Sequence, residues 1–264
     1  MTPSPLASMP DGVRRGIRYV LTDIDDTLTT DGKLTAPAYA SLAQLHEAGR
    51  VVIPVTGRPA GWCDHIARMW PVDAVVGENG AFYMRFDAVA RKLVRRFAAS
   101  VAEREANRAR IATIGAMIVD RVRGCALASD QRYRETDLAI DYCEDVAPLS
   151  MADVERIVAA MEAEGMTAKV SSIHVNGWFG SYDKLAMTRL LFDEVFGEDL
   201  ASVRDALLFA GDSPNDAPMF AYFPNAVGVA NLSRFLPTLE NPPAYITARE
   251  AGTGFAEIAD FLLG

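Results

Sequence analysis

Short apolar segments of strand length alternate with helical segments near both ends of the chain. In the N-terminal part, the apolar run of residues 17–22 precedes a helical pattern over residues 37–48, and residues 51–55 are the next apolar run. Strand–helix–strand order with short connections implies right-handed crossovers, which make neighbouring strands parallel. The same order returns after Ser181, where residues 207–210 form a further apolar run. The sequence therefore predicts an α/β fold built on a parallel sheet.

The middle of the chain follows a different pattern. Between residues 83 and 181, strand-like segments occur in pairs and alternate with helical segments over residues 98–119 and 151–164. This order is typical of an antiparallel sheet that carries helices on one face. We therefore predict a Rossmann-like core formed by residues 1–82 and 182–264, with an inserted α+β cap domain over residues 83–181.

The charge balance and the cysteines disfavour several classes of function. The chain carries 26 Lys and Arg against 35 Asp and Glu, a formal charge of −9. This acidity disfavours nucleic-acid binding, and no apolar run approaches the roughly 20 residues that span a bilayer. Cys63, Cys125 and Cys143 form no CxxC pair, and the N-terminus lacks the pattern of a signal peptide. We therefore predict a cytoplasmic protein with reduced thiols and without nucleic-acid or membrane partners.

An acidic cluster follows the first apolar run. In the segment YVLTDIDDTLT, Asp23, Asp25 and Asp26 come directly after the run. Open parallel sheets bind ligands at the carboxyl ends of their strands, and alternation along an extended chain places Asp23 and Asp25 on one side. Adjacent carboxylates repel unless one is protonated or a cation lies between them, and Mg²⁺ prefers such oxygen ligands. An acidic turn or a helix cap is the alternative interpretation.

A second acidic cluster follows a later strand. Asp212 comes directly after the apolar run LLFAG, and Asn215 and Asp216 follow before the next helical segment. A capped loop explains this cluster when it is taken alone, because Ser, Asn and Asp are ordinary turn residues. Two acidic clusters at strand ends of one parallel sheet instead favour a functional role.

Four motifs occur in an order that matches a known family. They are Asp23-Ile24-Asp25-Asp26-Thr27, Thr56-Gly57-Arg58, Lys184 and Gly211-Asp212-Ser213-Pro214-Asn215-Asp216. Together they resemble the motifs of the haloacid dehalogenase superfamily. An insert between the second and third motifs is similar to the large-cap subgroup of sucrose-phosphate, trehalose-phosphate and mannosyl-phosphoglycerate phosphatases, as are Glu78-Asn79-Gly80-Ala81 and Gly228-Val229-Ala230-Asn231. Asp26 departs from the pattern, because many relatives carry glycine there.

The resemblance implies a Mg²⁺-dependent phosphatase that works through an aspartyl-phosphate. Asp23 would be the nucleophile, and Asp25 the general acid and base. Thr56 and Lys184 would bind the phosphoryl oxygens. The implied metal ligands are Asp23, the main-chain carbonyl of Asp25, and Asp212, with Asn215 or Asp216 completing or orienting the shell. Substrate contacts are predicted for Thr56, Gly57, Arg58, Asn79 and Lys184, and a structural pair with an acidic side chain explains Arg58 equally well.

A polar face of the insert is a further candidate for substrate contact. The segment SSIHVN alternates as a strand, which places Ser172, His174 and Asn176 on one face. Ile173 and Val175 share the other face and are expected to pack against the cap helices. The polar face would then look over the phosphate site and contact the non-phosphate part of the substrate when the cap closes as a lid. A solvated strand face is the alternative interpretation.

The predicted substrate is a small phosphorylated metabolite, either a sugar phosphate or a glycosylated phosphoglycerate. Arg132 or Arg134 of the insert would be other selecting residues. Two further functions stay open: a sugar-phosphate phosphomutase, and a catalytically idle regulatory protein on the same fold. Retention of the acidic and basic residues of all four motifs argues against the idle protein. The sequence specifies no oligomeric state.

Overall fold

Residues 2–264 are described by a computed structural model. The strands are, in chain order, β1 (Ser4–Pro5), β2 (Tyr19–Thr22), β3 (Val51–Pro54), β4 (Val75–Gly77), β5 (Phe82–Asp87), β6 (Lys92–Phe97), β7 (Ala126–Leu127), β8 (Asp137–Asp141), β9 (Thr167–Val170), β10 (His174–Trp178), β11 (Leu207–Gly211), β12 (Asn225–Gly228) and β13 (Tyr245–Ile246). The α-helices are α1 (Asp11–Gly16), α2 (Ala36–Glu47), α3 (Ala60–Met69), α4 (Val101–Arg121), α5 (Met151–Ala163), α6 (Lys184–Leu191), α7 (Leu200–Val203), α8 (Ala217–Tyr222) and α9 (Ala251–Leu263). Among residues 2–264, no helix combines the length and the apolarity needed to cross a bilayer.

A parallel sheet forms the core, in the spatial order β1-β13-β12-β11-β2-β3. β2 pairs with β11 on one side and with β3 on the other, and both pairings are parallel. Successive side chains of β2 point to opposite faces: Leu21 packs with Phe209 and with Met187 of α6, whereas Val20 packs with Leu42 of α2. Burial on both faces explains why the strand is apolar throughout. The predicted α/β fold with a parallel sheet core is confirmed.

A separate antiparallel sheet, in the order β7-β8-β10-β9, forms the cap. Side chains of α4 and α5 cover one face of this sheet, and Val175 of β10 packs among them as expected. Ile173 does not, because β10 begins only at His174. Ser171 makes a tight turn there: its N–H donates to the His174 carbonyl at 2.8 Å, and its hydroxyl accepts from the His174 N–H at 3.0 Å. The expected position of Ile173 is therefore wrong, since strand alternation holds only within a strand.

The strands β5 and β6 lie at the edge of the core. They form an antiparallel sheet with β4, and a parallel bridge between Val55 and Val76 joins β4 to the end of β3. Phe82 of β5 packs with Cys63 of α3 and with Ile24, which follows β2. Although the residue pattern places these strands in the cap, they pair with a core strand. The boundaries at residues 83 and 181 stay a prediction, and we propose that the cap proper runs from α4 to β10.

Candidate active site

The carboxyl ends of the core strands bring the four motifs together. Asp23 directly follows β2, Thr56 follows β3, and Asp212 directly follows β11. Lys184 is the first residue of α6, and the Asp183 carboxylate caps this helix by accepting a hydrogen bond from the Ala186 N–H at 2.7 Å. The helix start therefore fixes the position of Lys184 directly after the cap.

Lys184 lies between two buried carboxylates. Its Nζ is 3.1 Å from Asp23 Oδ1 and 2.8 Å from Asp216 Oδ1. The second oxygen of Asp216 accepts a hydrogen bond from the Asp212 N–H at 3.2 Å. A buried carboxylate needs a partner of this kind, because an unpaired buried charge is strongly unfavourable. The predicted nucleophile and the predicted phosphoryl-binding lysine are thus in direct contact.

The oxygens of Asp23, Asp212 and Asp216 can approach within 4.8 Å of one another, and all three residues are buried. Burial raises the pKa of Asp23 to about 7, with Lys184 opposing and Asp216 adding to the increase. Burial also raises the pKa of Asp212 well above its ordinary value, and the neighbouring Asp216 and Asp23 add to it. One ammonium cannot balance three ionised carboxylates, so the cluster can keep all three charges only when a further cation joins it. Clustered carboxylate oxygens of this kind fit a hard divalent cation such as Mg²⁺.

Two side chains outside the predicted set hold Asp212. The Thr27 hydroxyl donates to one oxygen at 3.3 Å, and the Asn231 amide lies 3.5 Å from the other. The same amide donates to the Asp26 carbonyl at 2.9 Å. Asp26 has a φ of 54°, in the left-handed region that favours glycine. This backbone explains why glycine suits the position in relatives.

Asp25 and Arg58 form an ion pair beside the acidic cluster. Arg58 Nε lies 2.9 and 3.0 Å from the two Asp25 oxygens, and Nη2 lies 2.8 Å from Oδ1. Arg58 Nη2 also lies 3.0 Å from Glu144 of the cap, and Nη1 lies 3.5 Å from Asp130. The guanidinium is stacked over the Trp62 ring at 4.5 Å. The structural pair, one of the two interpretations of Arg58, is therefore present.

A small, partly open cavity of about 20 Å³ lies between the core and the cap. Its core lining consists of Asp23, Asp25, Gly57, Arg58, Ser213 and Asn215, and its cap lining of Arg134, Ser171, Ser172, Ile173, His174 and Asn176. The predicted cap residues are therefore brought to the same cavity as Asp23 and Asp25. Arg132 instead lines two other grooves, one within the cap and one between the cap and α3. Since one water molecule needs roughly 10–15 Å³, the cavity has room for about one.

Close contacts beside this cavity join Thr56, Gly57 and Asn79. The Thr56 hydroxyl accepts a hydrogen bond from the Arg58 N–H at 3.0 Å, and the Thr56 carbonyl accepts one from the Asn79 N–H at 3.1 Å. A Cβ atom on Gly57 would lie 3.1 Å from the Asn79 side-chain oxygen, so glycine permits the close approach. Asn215 lines the cavity, and its side-chain oxygen accepts from Ser213 at 2.7 Å. Asp216, the other residue left open as a ligand, belongs to the acidic cluster.

The comparisons agree with this arrangement of motifs. Residues 20–104 match the sequence profile of the haloacid dehalogenase-like hydrolases. Over this part of its length the chain is similar to that family. A phosphoglycolate phosphatase of Methanothrix thermoacetophila is 26% identical to this hydrolase over 248 residues, which cover 93% of the chain and 97% of that relative. The predicted resemblance to this family is confirmed, and the predicted class of phosphoric monoester hydrolase agrees with the relative.

Two solved structures share the fold of this hydrolase. Protein 0175 of Thermoplasma acidophilum superposes with a TM-score of 0.70 at 19% identity, over 94% of this chain and 98% of that one. A sucrose-phosphatase of Synechocystis superposes with a TM-score of 0.61 at 16% identity, over 94% of this chain and 98% of that one. Both likenesses include the cap, because nearly the whole of each chain is covered.

Glu78 connects the core of this hydrolase to the cap, although it was not among the predicted site residues. One oxygen accepts from the N–H groups of Ala60 and Glu135, both at 2.9 Å. The other accepts from the Thr136 N–H at 2.7 Å and from the Thr136 hydroxyl. Burial and the neighbouring Asp137 raise the pKa of Glu78 to about 7, against the effect of Thr136. The Glu-Asn-Gly motif is the signal that marks this residue in the sequence.

The cap side chains at the cavity have partners within the cap. His174 Nε2 lies 2.8 Å from Glu144 Oε2, and the Asn176 amide donates to Asp137 at 3.0 Å. Arg134 lies 3.0 Å from Asp137 and donates to the Gly57 carbonyl of the core at 2.9 Å. Glu144 and Asp137 carry no sequence signal of their own, because neither belongs to a recognisable motif.

Proposed function

We propose that this hydrolase is a Mg²⁺-dependent phosphatase of a small phosphorylated metabolite. The observation that carries the proposal is the buried contact of Lys184 with Asp23, beside the acidic cluster of Asp23, Asp212 and Asp216 at the strand ends. A carboxylate nucleophile, an ammonium for the phosphoryl oxygens and ligands for a hard cation then lie around one point. Phosphoryl transfer needs these three elements, because its catalysis depends mainly on positioning and on stabilisation of charge.

The first step transfers the phosphoryl group to the enzyme. A carboxylate oxygen of Asp23 forms a bond to phosphorus, and the bond from phosphorus to the leaving oxygen breaks. Asp25, oriented by its bidentate contact with Arg58, gives a proton to that leaving oxygen. Lys184 and Thr56 bind the phosphoryl oxygens, where negative charge develops.

The second step releases phosphate. A water oxygen bonds to phosphorus, the bond from phosphorus to Asp23 breaks, and Asp25 takes a proton from the water. Phosphate then leaves and both carboxyl groups return to their starting states. Mg²⁺ held by Asp23, the Asp25 carbonyl and Asp212, with Asn215 or Asp216 completing or orienting the shell, would supply positive charge at the phosphoryl oxygens.

The substrate that we propose is a sugar phosphate or a glycosylated phosphoglycerate. A cavity of about 20 Å³ is too small for such a molecule, so the cap has to move away before it binds. After closure, Ser172, His174 and Asn176 would contact the non-phosphate part. The sucrose-phosphatase of Synechocystis and the phosphoglycolate phosphatase of Methanothrix, both small-molecule phosphatases by name, support this class.

A phosphate-release assay over a panel of sugar phosphates and a minimal aryl phosphate tests the proposal. We expect turnover with Mg²⁺, loss of turnover with a chelator, and loss in the Asp23→Asn variant, because an amide cannot form the covalent intermediate. Asp120→Asn, at an exposed position of α4, is the matched control and should retain full activity. Phosphate release that equals substrate loss separates a phosphatase from a phosphomutase. Turnover by metal-free enzyme or by Asp23→Asn would contradict the proposal.

A further inference from the structure

Arg58 and His174, which line the cavity, are both paired with the same cap carboxylate. Arg58 Nη2 lies 3.0 Å from Glu144 Oε1, and His174 Nε2 lies 2.8 Å from Glu144 Oε2. Arg58 is also bound by both oxygens of Asp25. An anion brought in by a substrate would therefore meet a guanidinium whose charge is already balanced and an imidazole that already contacts a carboxylate.

The charge of Arg134, the second guanidinium that lines the cavity, is balanced by carboxylates in the same way. Arg134 lies 3.0 and 3.1 Å from the two oxygens of Asp130, and 3.0 Å from Asp137. Asn176, on the same wall, gives its amide to Asp137. Within residues 2–264, each guanidinium that lines this cavity thus contacts at least two carboxylates. Counted together with the carboxylates that contact it, the lining has more acidic than basic side chains: Asp23, Asp25, Asp130, Asp137 and Glu144 against Arg58 and Arg134.

Glu144 is held in place before any substrate binds. Asp141, at the end of β8, accepts hydrogen bonds from the N–H groups of Cys143 at 2.9 Å, Glu144 at 2.8 Å and Asp145 at 2.8 Å. These bonds fix the loop that carries Glu144. Contact with His174, together with the charge of Arg58, lowers the pKa of Glu144 to about 2, so the side chain is ionised at neutral pH. A preorganised charge of this kind discriminates between ligands, because it does not rearrange to suit each of them.

We infer that Glu144 is a positioning residue that makes this site select an uncharged, hydroxyl-bearing leaving group and reject one that carries a carboxylate. The inference rests on the proposed phosphatase function and narrows its substrate class to sugar or polyol phosphates. Glu144 acts through Arg58, whose charge it helps to balance, and through His174, which it contacts at the cavity wall. Without this carboxylate, Arg58 would lose one of its acidic partners and His174 its contact, so both side chains could turn to an anionic substrate group.

Hydroxyl groups suit an acidic lining for a simple reason. A hydroxyl donates a hydrogen bond to a carboxylate, whereas a second carboxylate only repels it. The carboxylates around Arg58 therefore offer acceptors to a polyol and repulsion to a carboxylate. The substrate named for the Methanothrix relative, phosphoglycolate, carries such a carboxylate. This hydrolase is expected to differ from that relative in its substrate.

Two small phosphate esters that differ in a single group test the inference. 2-Hydroxyethyl phosphate and 2-phosphoglycolate share the phosphate and the carbon chain length, and differ in a hydroxymethyl group against a carboxylate. We expect wild-type kcat/KM with Mg²⁺ to be about tenfold or more higher for 2-hydroxyethyl phosphate, because a like charge beside the carboxylate is unfavourable. A minimal aryl phosphate, measured in parallel, reports whether the enzyme is a phosphatase at all.

Variants of the loop separate the charge of Glu144 from its structural contribution. Glu144→Gln should raise kcat/KM for 2-phosphoglycolate about tenfold without raising that for 2-hydroxyethyl phosphate. Glu144→Asp keeps the charge and should keep the wild-type preference. Asp145→Asn removes the neighbouring, exposed carboxylate of the same loop and should leave the ratio of the two substrates unchanged.

The outcomes distinguish the inference from the proposed function. Turnover of the aryl phosphate together with a wild-type preference for 2-phosphoglycolate would overturn the inference alone. So would a Glu144→Gln variant that changes kcat/KM for both esters by the same factor, as a purely structural role would. If Glu144→Gln fails to fold, the wild-type preference and its retention in Glu144→Asp still decide the question. Absence of all phosphatase activity in the wild type would refute the proposed function and this inference with it.

Discussion

Replacing Glu78 by glutamine would keep the shape of the side chain that joins the core to the cap, but would exchange one carboxylate oxygen for an NH₂ group. Each oxygen now accepts two hydrogen bonds, one pair from Ala60 and Glu135 and the other from the backbone and hydroxyl of Thr136. Whichever way the amide is oriented, its NH₂ group faces two donors. The variant therefore loses one pair of hydrogen bonds and gains a donor–donor contact.

The expected loss of stability follows from these contacts. Hydrogen bonds to a charged group contribute about 1.5–3 kcal/mol each, so two of them amount to roughly 3–6 kcal/mol above about pH 8, where Glu78 is ionised. A neutral amide is less unfavourable to bury than a carboxylate, and Glu78 is completely buried. This opposing effect reduces the expected decrease in the free energy of unfolding to about 2–4 kcal/mol.

Urea denaturation of the wild type and of Glu78→Gln, followed by circular dichroism, measures this difference. Glu162→Gln, on the exposed side of α5, is the matched control and should change the free energy of unfolding by less than about 0.5 kcal/mol. Thr136→Val, alone and combined with Glu78→Gln, completes a double-mutant cycle. We expect a coupling energy of about 1 kcal/mol or more, because the Thr136 hydroxyl donates directly to Glu78. A loss below about 1 kcal/mol in Glu78→Gln, or additive effects in the cycle, would refute the argument.

Three other residues of the site give further predictions. Lys184→Met should abolish turnover and lower the free energy of unfolding of the metal-free protein by about 3–5 kcal/mol, because Asp23 and Asp216 lose their counter-charge. Urea denaturation in the presence of a chelator measures the loss of stability. An unchanged free energy of unfolding would contradict the prediction. His174→Ala should lower kcat/KM for the best metabolite but not for a minimal aryl phosphate, and wild-type rates on both would remove His174 from a role in specificity. The pKa of Glu144 is lowered from 4.5 to about 2, so its stabilisation is present above about pH 4.5 and is lost as the pH falls towards 2. Because Glu144 is only partly buried and its charge is screened by solvent, Glu144→Gln should be less stable than the wild type by only about 1–2 kcal/mol at about pH 6, and by about half as much at about pH 3. A difference independent of pH would contradict this.

The alternation of apolar residues predicts the packing of the cap strand β10 only in part. Val175 packs against the cap helices as its alternation predicts, whereas Ile173, two residues earlier, lines the cavity instead. The difference comes from Ser171, whose hydrogen bonds to His174 form a turn that interrupts the extended chain. A serine hydroxyl is compatible with a strand as well as with a turn, so the sequence does not distinguish between them.

The strands β5 and β6 show a second limit of local pattern. Their alternation is that of strands, and the structure has them as strands. Which sheet they join depends on the contact of Phe82 with Cys63 and Ile24, residues from other parts of the chain. Strand periodicity reports which face is buried, but it carries no information about the partner strand.

By itself, the sequence determined the parallel sheet and the positions of Asp23, Asp212 and Lys184 at strand and helix ends. These follow from apolar runs and from motifs that are contiguous in the chain. Only the tertiary structure decided that Arg58, Glu144 and His174 meet at one cavity. Such contacts depend on how the cap is placed over the core, and a single acidic residue in a polar loop has the same local pattern whether it is solvated or paired. The physical reason is that hydrophobic periodicity encodes burial within an element, whereas an ion pair between domains is set by the relative position of the two domains.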